Sequence, residues 1–303
     1  MRILLRRLLY APLVLLLLIT LTFFLIRLAP GGPFSAERNL PPEVERELME
    51  RFHLDQPLHV QYLRMLRGVV TADFGPSMRH RERDVNEIIA AHLPPSMLVG
   101  GAAILLALWI GVSIGVVSAL RVNSAVDYVG MGIAVIGISL PAFVFGPLLQ
   151  LLFAMRLNWL PVAGYGRPAQ LILPALTLSL PFAARFARLT RAGMLEVLSQ
   201  DFIRTARSKG IPEAVVVRRH ALRGALCPVI SFLGPAVAAI TTGSLVVERI
   251  FNIPGLGREF VEGALNRDYT LVMGTTIVYG TFIIVCNTVS DLAYAWLDPR
   301  VCR

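Results

Sequence analysis

The sequence predicts an all-α membrane protein of six transmembrane helices with both termini in the cytoplasm. Composition is the first ground: 55% of the 303 residues are hydrophobic and 16% are charged, with a mean hydropathy of +0.64. Soluble domains are about 25% charged, and uninterrupted apolar stretches of about 20 residues mark membrane spans. The second ground is six charge-free intervals spaced along the chain. The third is the distribution of arginine, which supplies every basic residue except Lys209 in a net charge of +9. On a soluble protein that balance would suggest nucleic acid. Here it reads as the excess of basic residues that membrane proteins keep on their cytoplasmic side, so no nucleic-acid partner is expected.

The first interval, Leu8 to Ile26, follows Arg2, Arg6 and Arg7. A cleaved signal peptide has the same layout. Its apolar core normally runs about 7–15 residues before a small-residue cleavage site, however, and here 19 residues lead into RLAPGGP. A retained first helix over 1–28 is therefore expected. Residues 29–93 hold eight Arg against ten acids, lack a basic excess, and form an external subdomain. Within it Pro41-Pro42 opens a helix with Val44, Leu48 and Phe52 on one face, and Tyr62 and Leu66 mark a second amphipathic piece.

Residues 94–303 then carry five more spans: Leu93–Leu120, Tyr128–Met155, Pro168–Ala184, Gly224–Val247 and Tyr269–Ser290. Gly111-x-x-x-Gly115 allows close helix packing within the bundle. The second of these spans, at 28 residues, is longer than a bilayer requires and should bend at Pro141. Trp159 sits at the depth of the aromatic belt.

Between the fourth and fifth of the six spans lies a polar loop, 191–224, centred on the island Ser199–Arg223. From Arg185 to Arg223 eight Arg and one Lys stand against three acids, whereas the short links 156–167 and 248–268 are nearly neutral. This bias places the island and both termini inside. Asp201–Ser208 reads as a short helix with Ile203 and Ala206 on one face and Arg204, Arg207 and Lys209 on another. Gly210 permits a sharp turn, and Pro212 starts a second short helix running to about Leu222. Two short helices joined by a glycine turn make a docking peg.

Several chemistries lack their residues. The five histidines fall outside the intervals assigned to spans, and the external ones are scattered singly, so neither intramembrane Ser–His catalysis nor a zinc site within the bundle has ligands. The three cysteines show no CxxC spacing and read as small apolar fillers. A phosphate loop needs Gly-Lys-Ser/Thr, but Lys209 precedes Gly210, so any ATP drive comes from a partner. No charge lies in the middle turns of the spans, which disfavours a stand-alone secondary transporter.

Arg204-Thr205-Ala206-Arg207-Ser208-Lys209-Gly210 resembles the EAA-x-x-x-G loop of ABC importer permeases, in the form used by the oligopeptide/dipeptide branch. The resemblance extends through Arg219–Arg223 and Pro228, Arg27–Gly31, Asp73–Ser77, Pro254–Gly257, Asn266–Tyr269 and Asp298–Arg300. Ala36-Glu37-Arg38 with Leu40–Val44 is most similar to the first permease of Gram-negative oligopeptide importers. Arg204-Thr205 stands where Glu-Ala is general, and the distal I-x-L-P is absent; both departures are usual for this branch.

The resemblance implies a type I importer permease fold in the bacterial inner membrane, with a periplasmic insertion after the first helix. It implies a second homologous permease, two ATP-binding subunits that hold ATP and Mg, a periplasmic binding protein and a peptide cargo. This chain would then be no enzyme and carry no cofactor. Cargo alternatives within the same machine are dipeptides, nickel complexes or antimicrobial peptides. Arg204, Thr205, Ala206, Arg207, Lys209, Gly210 and Ile211 take the coupling role. At the outer mouth Glu248, Phe251, Pro254 and Gly255 are the candidate gate. The Pro-Gly pair breaks the helix there, and Glu248 either faces the path or pairs internally.

Overall fold

The computed structural model describes residues 2–28, 32–34, 41–80 and 83–297. Ala29–Gly31, Ala36-Glu37-Arg38, Leu40, Asp298–Arg300 and Cys302, all singled out above, lie outside the described residues. In chain order the helices are α1 (Arg2–Leu28), α2 (Pro42–Arg51), α3 (Leu58–Thr71), α4 (Val85–Leu120), α5 (Ala125–Ser139) and α6 (Ala142–Leu149), which continues as a π-helical segment Gln150–Arg156. There follow α7 (Pro168–Leu198), α8 (Asp201–Ser208), α9 (Glu213–Val215), a π-helical segment Val216–Ala221, α10 (Leu222–Ala225), α11 (Cys227–Ile250), α12 (Leu256–Leu265) and α13 (Tyr269–Leu297).

The described residues are nearly all helical, and five of the helices are long and apolar enough to cross a membrane. The expected third span is instead a bent pair. Helices α5 and α6 meet at 110°, so the count reaches six only if this pair is a single span. The break falls at Pro141, as expected. Leu140 before it is held at φ −90°, ψ 120°, because a proline pushes its predecessor out of helical geometry.

Two other extents differ from expectation. Helix α4 starts at Val85, eight residues before Leu93, and carries Pro94 and Pro95 within it. Its 36 residues make a rod of about 54 Å against a hydrocarbon core of about 30 Å, so it reaches well beyond the bilayer. Helix α7 runs on past Ala184 to Leu198 and takes Arg185, Arg188 and Arg191 into its last turns.

The chain forms two compact units: Met1–Leu5, Met97–Ile253 and Ile283–Arg303 in the first, and Arg6–Ser96 with Pro254–Phe282 in the second. In the first unit α4, α5 and α11 pack on α7. A Cβ on Gly111 would lie 2.5 Å from the Ala183 carbonyl oxygen, and one on Gly115 2.6 Å from that of Ala187. Glycine at these two positions is what lets α4 and α7 approach, within the chain as the spacing predicts.

In the second unit α3 lies along α1. Tyr62 stacks edge-on to Phe23 at 5.2 Å between ring centroids, and its hydroxyl meets Thr20 Oγ1 at 2.7 Å. Ile19 and Phe23 pack with Met273 and Ile277 of α13. Two of the resembling stretches meet here: Ser77 Oγ donates to the fully buried Asp268, and Thr270 Oγ1 donates to the Pro76 carbonyl at 2.8 Å. Asp268 also caps α13, accepting from the Leu271 amide at 3.0 Å.

The histidines require a correction. His92 lies inside α4, and with His80 it converges on Glu259 of α12, at 3.4 and 3.5 Å. These two are paired, not scattered. The sequence hid this because Glu259 lies more than 160 positions along the chain.

Candidate coupling site

Helix α8 forms because Asp201 opens it near the positive end of the helix dipole and Arg207 closes it near the negative end. Its termination is a Schellman turn. Gly210 sits at φ +73°, its amide donates to the Arg207 carbonyl at 2.9 Å, and the Ile211 amide reaches back to Ala206 at 3.4 Å. Nothing lies within 4 Å of the place a Gly210 Cβ would take. The requirement for glycine is therefore conformational, set by the left-handed backbone and not by space.

The helix is two-faced. Ile203 is fully buried and Ala206 nearly so, both packed with Ala119 of α4, Met194 and Val197 of α7, and Val216, Ala221 and Ala225 of the following segment. Ile211 joins the edge of that cluster. Arg204, Thr205, Arg207, Lys209 and Gly210 are exposed. Of the seven residues assigned to coupling, five thus face outward, whereas Ala206 and Ile211 anchor the peg to the bundle.

After the turn, Arg207 reaches back to Glu213, with Nε to Oε2 at 3.1 Å and Nη2 to Oε1 at 2.7 Å. The hydrogen bond from Arg207 holds the Glu213 carboxyl below its ordinary range. The expected second helix from Pro212 is present as α9, the π-helical segment and α10 in succession. Gly193 of α7 admits α10 closely, since a Cβ there would lie 2.5 Å from the Ala225 carbonyl oxygen.

Two further residues of this region escaped the sequence. Phe202 leaves 47% of its surface exposed on the outward face of α8. Its signal was available: an aromatic one position off the Ile203/Ala206 face, beside Thr205 and Lys209 at helical spacing. The second is Asp127, only 2% exposed, which receives Arg191 through Nε and Nη2, both at 2.7 Å. Such a bidentate pair ties the start of α5 to α7, about two turns before the end of α7.

The gate residues fall in different units and are described apart. Glu248 and Phe251 belong to the first. Glu248 is fully buried and accepts a hydrogen bond from Ser244 Oγ at 2.7 Å, so it does not face an open path. Phe251, 1% exposed, is sealed in the core cluster with Val247, Ile253 and Leu173, and its carbonyl accepts from the Gly164 amide at 2.8 Å. In the second unit Pro254 is exposed and Gly255 buried. The helix does break here: α11 ends at Ile250 and α12 begins at Leu256.

Comparison with known proteins accounts for this arrangement. Residues 111–303 match the family described as binding-protein-dependent transport system inner membrane component, and residues 1–93 match the N-terminal part described for the same systems. The oligopeptide transport system permease protein OppB of Salmonella typhimurium is 48% identical over 99% of both chains, and that of Escherichia coli K12 is 46% identical over the same share. The dipeptide transport system permease protein DppB of Bacillus subtilis is 44% identical, over 94% of this chain and 93% of its own. Among solved structures, the inward-facing MetNI methionine ABC transporter superposes with a TM-score of 0.56 at 16% identity, over 70% of this chain and 96% of that one. An amino acid ABC transporter crystallised with histidines gives 0.50 at 16%, over 71% and 94%. These two likenesses establish an ABC transporter permease fold. The chain belongs to the family of binding-protein-dependent transport system inner membrane components.

Proposed function

We propose that the chain is a permease subunit of an ATP-driven oligopeptide importer, forming half of the translocation pathway beside a second homologous permease. Its six spans run with both termini and the 199–223 segment in the cytoplasm, and the segment after α1 lies in the periplasm. Two ATPase subunits bind ATP and Mg and hydrolyse the nucleotide; a periplasmic binding protein delivers the peptide. The chain itself does no covalent chemistry.

The observation that carries this reading is the two-faced α8. Its outward face offers Phe202, Arg204, Thr205, Arg207 and Lys209 to a partner, and its inward face is bolted through Ile203 and Ala206 to α4 and α7. When the ATPases close on ATP they drag the peg. Because Ile203 is sealed among Met194, Val197 and Val216, the peg cannot slide without moving the base of α7. The Arg191–Asp127 pair passes that displacement to α5. Packed interiors transmit strain in this way because they have little free volume.

A second reading, dipeptide cargo, is favoured by the 44% identity to the Bacillus subtilis dipeptide permease. Proteoliposomes containing this chain, its paired permease and the ATPases should take up oligopeptide from the loaded binding protein only when ATP is supplied. Uptake driven by an ion gradient through this chain alone would contradict the proposal. Uptake confined to dipeptides would favour the second reading.

A further inference from the structure

The second unit holds a cavity of about 740 Å³ that the transport reading does not use. That volume lies within the range of small-molecule sites, about 300–1,000 Å³. Part of its lining is apolar, formed by Phe23 at the end of α1, Met273 and Ile277 at the start of α13, and Phe74 between α3 and α4. Among the described residues four arginines line it, Arg27, Arg51, Arg64 and Arg67, against a single carboxylate, Asp73.

Arg27 is the central group. It is held by three elements: Nε and Nη2 donate to Gln61 Oε1 of α3 at 3.3 and 2.9 Å, Nη1 donates to the Phe23 carbonyl of α1 at 3.3 Å, and the Tyr269 ring of α13 lies 5.5 Å away. Gln61 is itself locked, its amide nitrogen donating to the carbonyls of Leu54 and Gln56 at 3.1 and 2.7 Å. The guanidinium carbon lies 3.6 Å from the Phe23 ring centroid. A guanidinium has five N–H donors, and these contacts use three. Among the described residues no carboxylate pairs with Arg27. A half-buried cation built into a rigid frame, with donors left over and three more arginines at the rim, is complementary to an anion.

The surroundings favour an anion carried on hydrocarbon. Helix α1 turns Leu13, Leu17, Leu21 and Leu25 outward, each more than half exposed, and its span has only 11% of its residues buried. The cavity lies at the end of that apolar surface, where a bilayer gives way to its headgroups. We propose that this cavity binds an acidic phospholipid, with its phosphate on Arg27 and the outer arginines and part of an acyl chain over Phe23, Met273 and Ile277. The planar guanidinium binds phosphate oxygens bidentately, which suits such a headgroup.

The test is native mass spectrometry of the assembled transporter taken from nanodiscs of mixed phosphatidylcholine and phosphatidylglycerol. The wild type should retain phosphatidylglycerol in preference to phosphatidylcholine. Arg27→Gln should lower that retention about tenfold, the size of one lost charge-assisted contact. The double variant Arg64→Gln/Arg67→Gln changes only exposed residues, so it keeps the fold, and should lower retention by a smaller factor. Equal retention of the two lipids, or retention unchanged in both variants, would overturn the proposal. Displacement of the lipid by saturating oligopeptide would overturn it in favour of a peptide-carboxylate site, and displacement by inorganic phosphate in favour of a simple anion site.

Discussion

Arg191 and Asp127 form the most consequential pair in the first unit, and neither stood out in the sequence, because 64 positions separate them. Charge counting placed Arg191 on the cytoplasmic side but did not reach Asp127. Removing one partner of such a pair leaves the other without its counter-charge. Asp127→Ala should therefore lower the thermal unfolding midpoint in detergent clearly, and Asp127→Ala/Arg191→Met should recover part of the loss. An additive double variant would show that the two act separately. The Arg207–Glu213 pair behaves differently, being about half exposed on both sides. Since Arg207 holds the Glu213 carboxyl below its ordinary 4.5, the pair's contribution is full above that pH and is lost as pH falls through the lower folded value. Limited proteolysis of the 199–223 segment should be flat from neutral pH to about 4.5 and accelerate below it. Acceleration already near neutrality would point to another group. Phe202 offers an aromatic to the partner, and such residues dominate interfaces once desolvated. Phe202→Ala should weaken binding of the purified ATPase about thirtyfold or more, roughly 2 kcal/mol, without altering the unfolding midpoint; unchanged binding would place the contact elsewhere.

At the scale of elements, patterns that depend on local chemistry were legible. The 3.6-residue spacing identified α8 and its buried Ile203/Ala206 face, Gly210 marked its end, and Pro141 marked the break between α5 and α6. Patterns that depend on competition between elements were not. Charge marked the end of the fourth span at Ala184, yet α7 continues because its arginines lie on an exterior face or find Asp127. The bend of 110° follows from packing around Pro141, whose presence announces a kink but not its size. The anchoring of α8 is a matter of burial, and Ile203→Ala should cost about 2–5 kcal/mol locally, as truncations in sealed cores do. Hydrogen exchange across 201–208 should then accelerate while the amides of α11 keep their protection. Uniform acceleration in both would contradict an anchor confined to the peg.

For the whole molecule, the class of protein was legible from hydropathy and arginine placement, and the family from short stretches running along most of the chain. Those stretches acquire a physical reason in the fold. Asp73–Ser77 and Asn266–Tyr269 lock to each other through Asp268, and Arg204–Gly210 builds a two-faced peg. What sequence could not supply was the gathering of distant residues: the arginine-lined cavity, the His80–Glu259–His92 contact and the sealing of Phe251 all depend on tertiary packing. The Gly210 turn is proposed to couple a partner's ATP hydrolysis to transport, and that role reaches across the whole molecule. It is tested most directly by measuring peptide taken up per ATP hydrolysed in proteoliposomes of the complete transporter carrying Gly210→Val. A β-branched residue at φ +73° is strained and should disorder the peg. The ratio should fall at least tenfold with the chain still inserted and assembled; a wild-type ratio would rule out coupling through this turn.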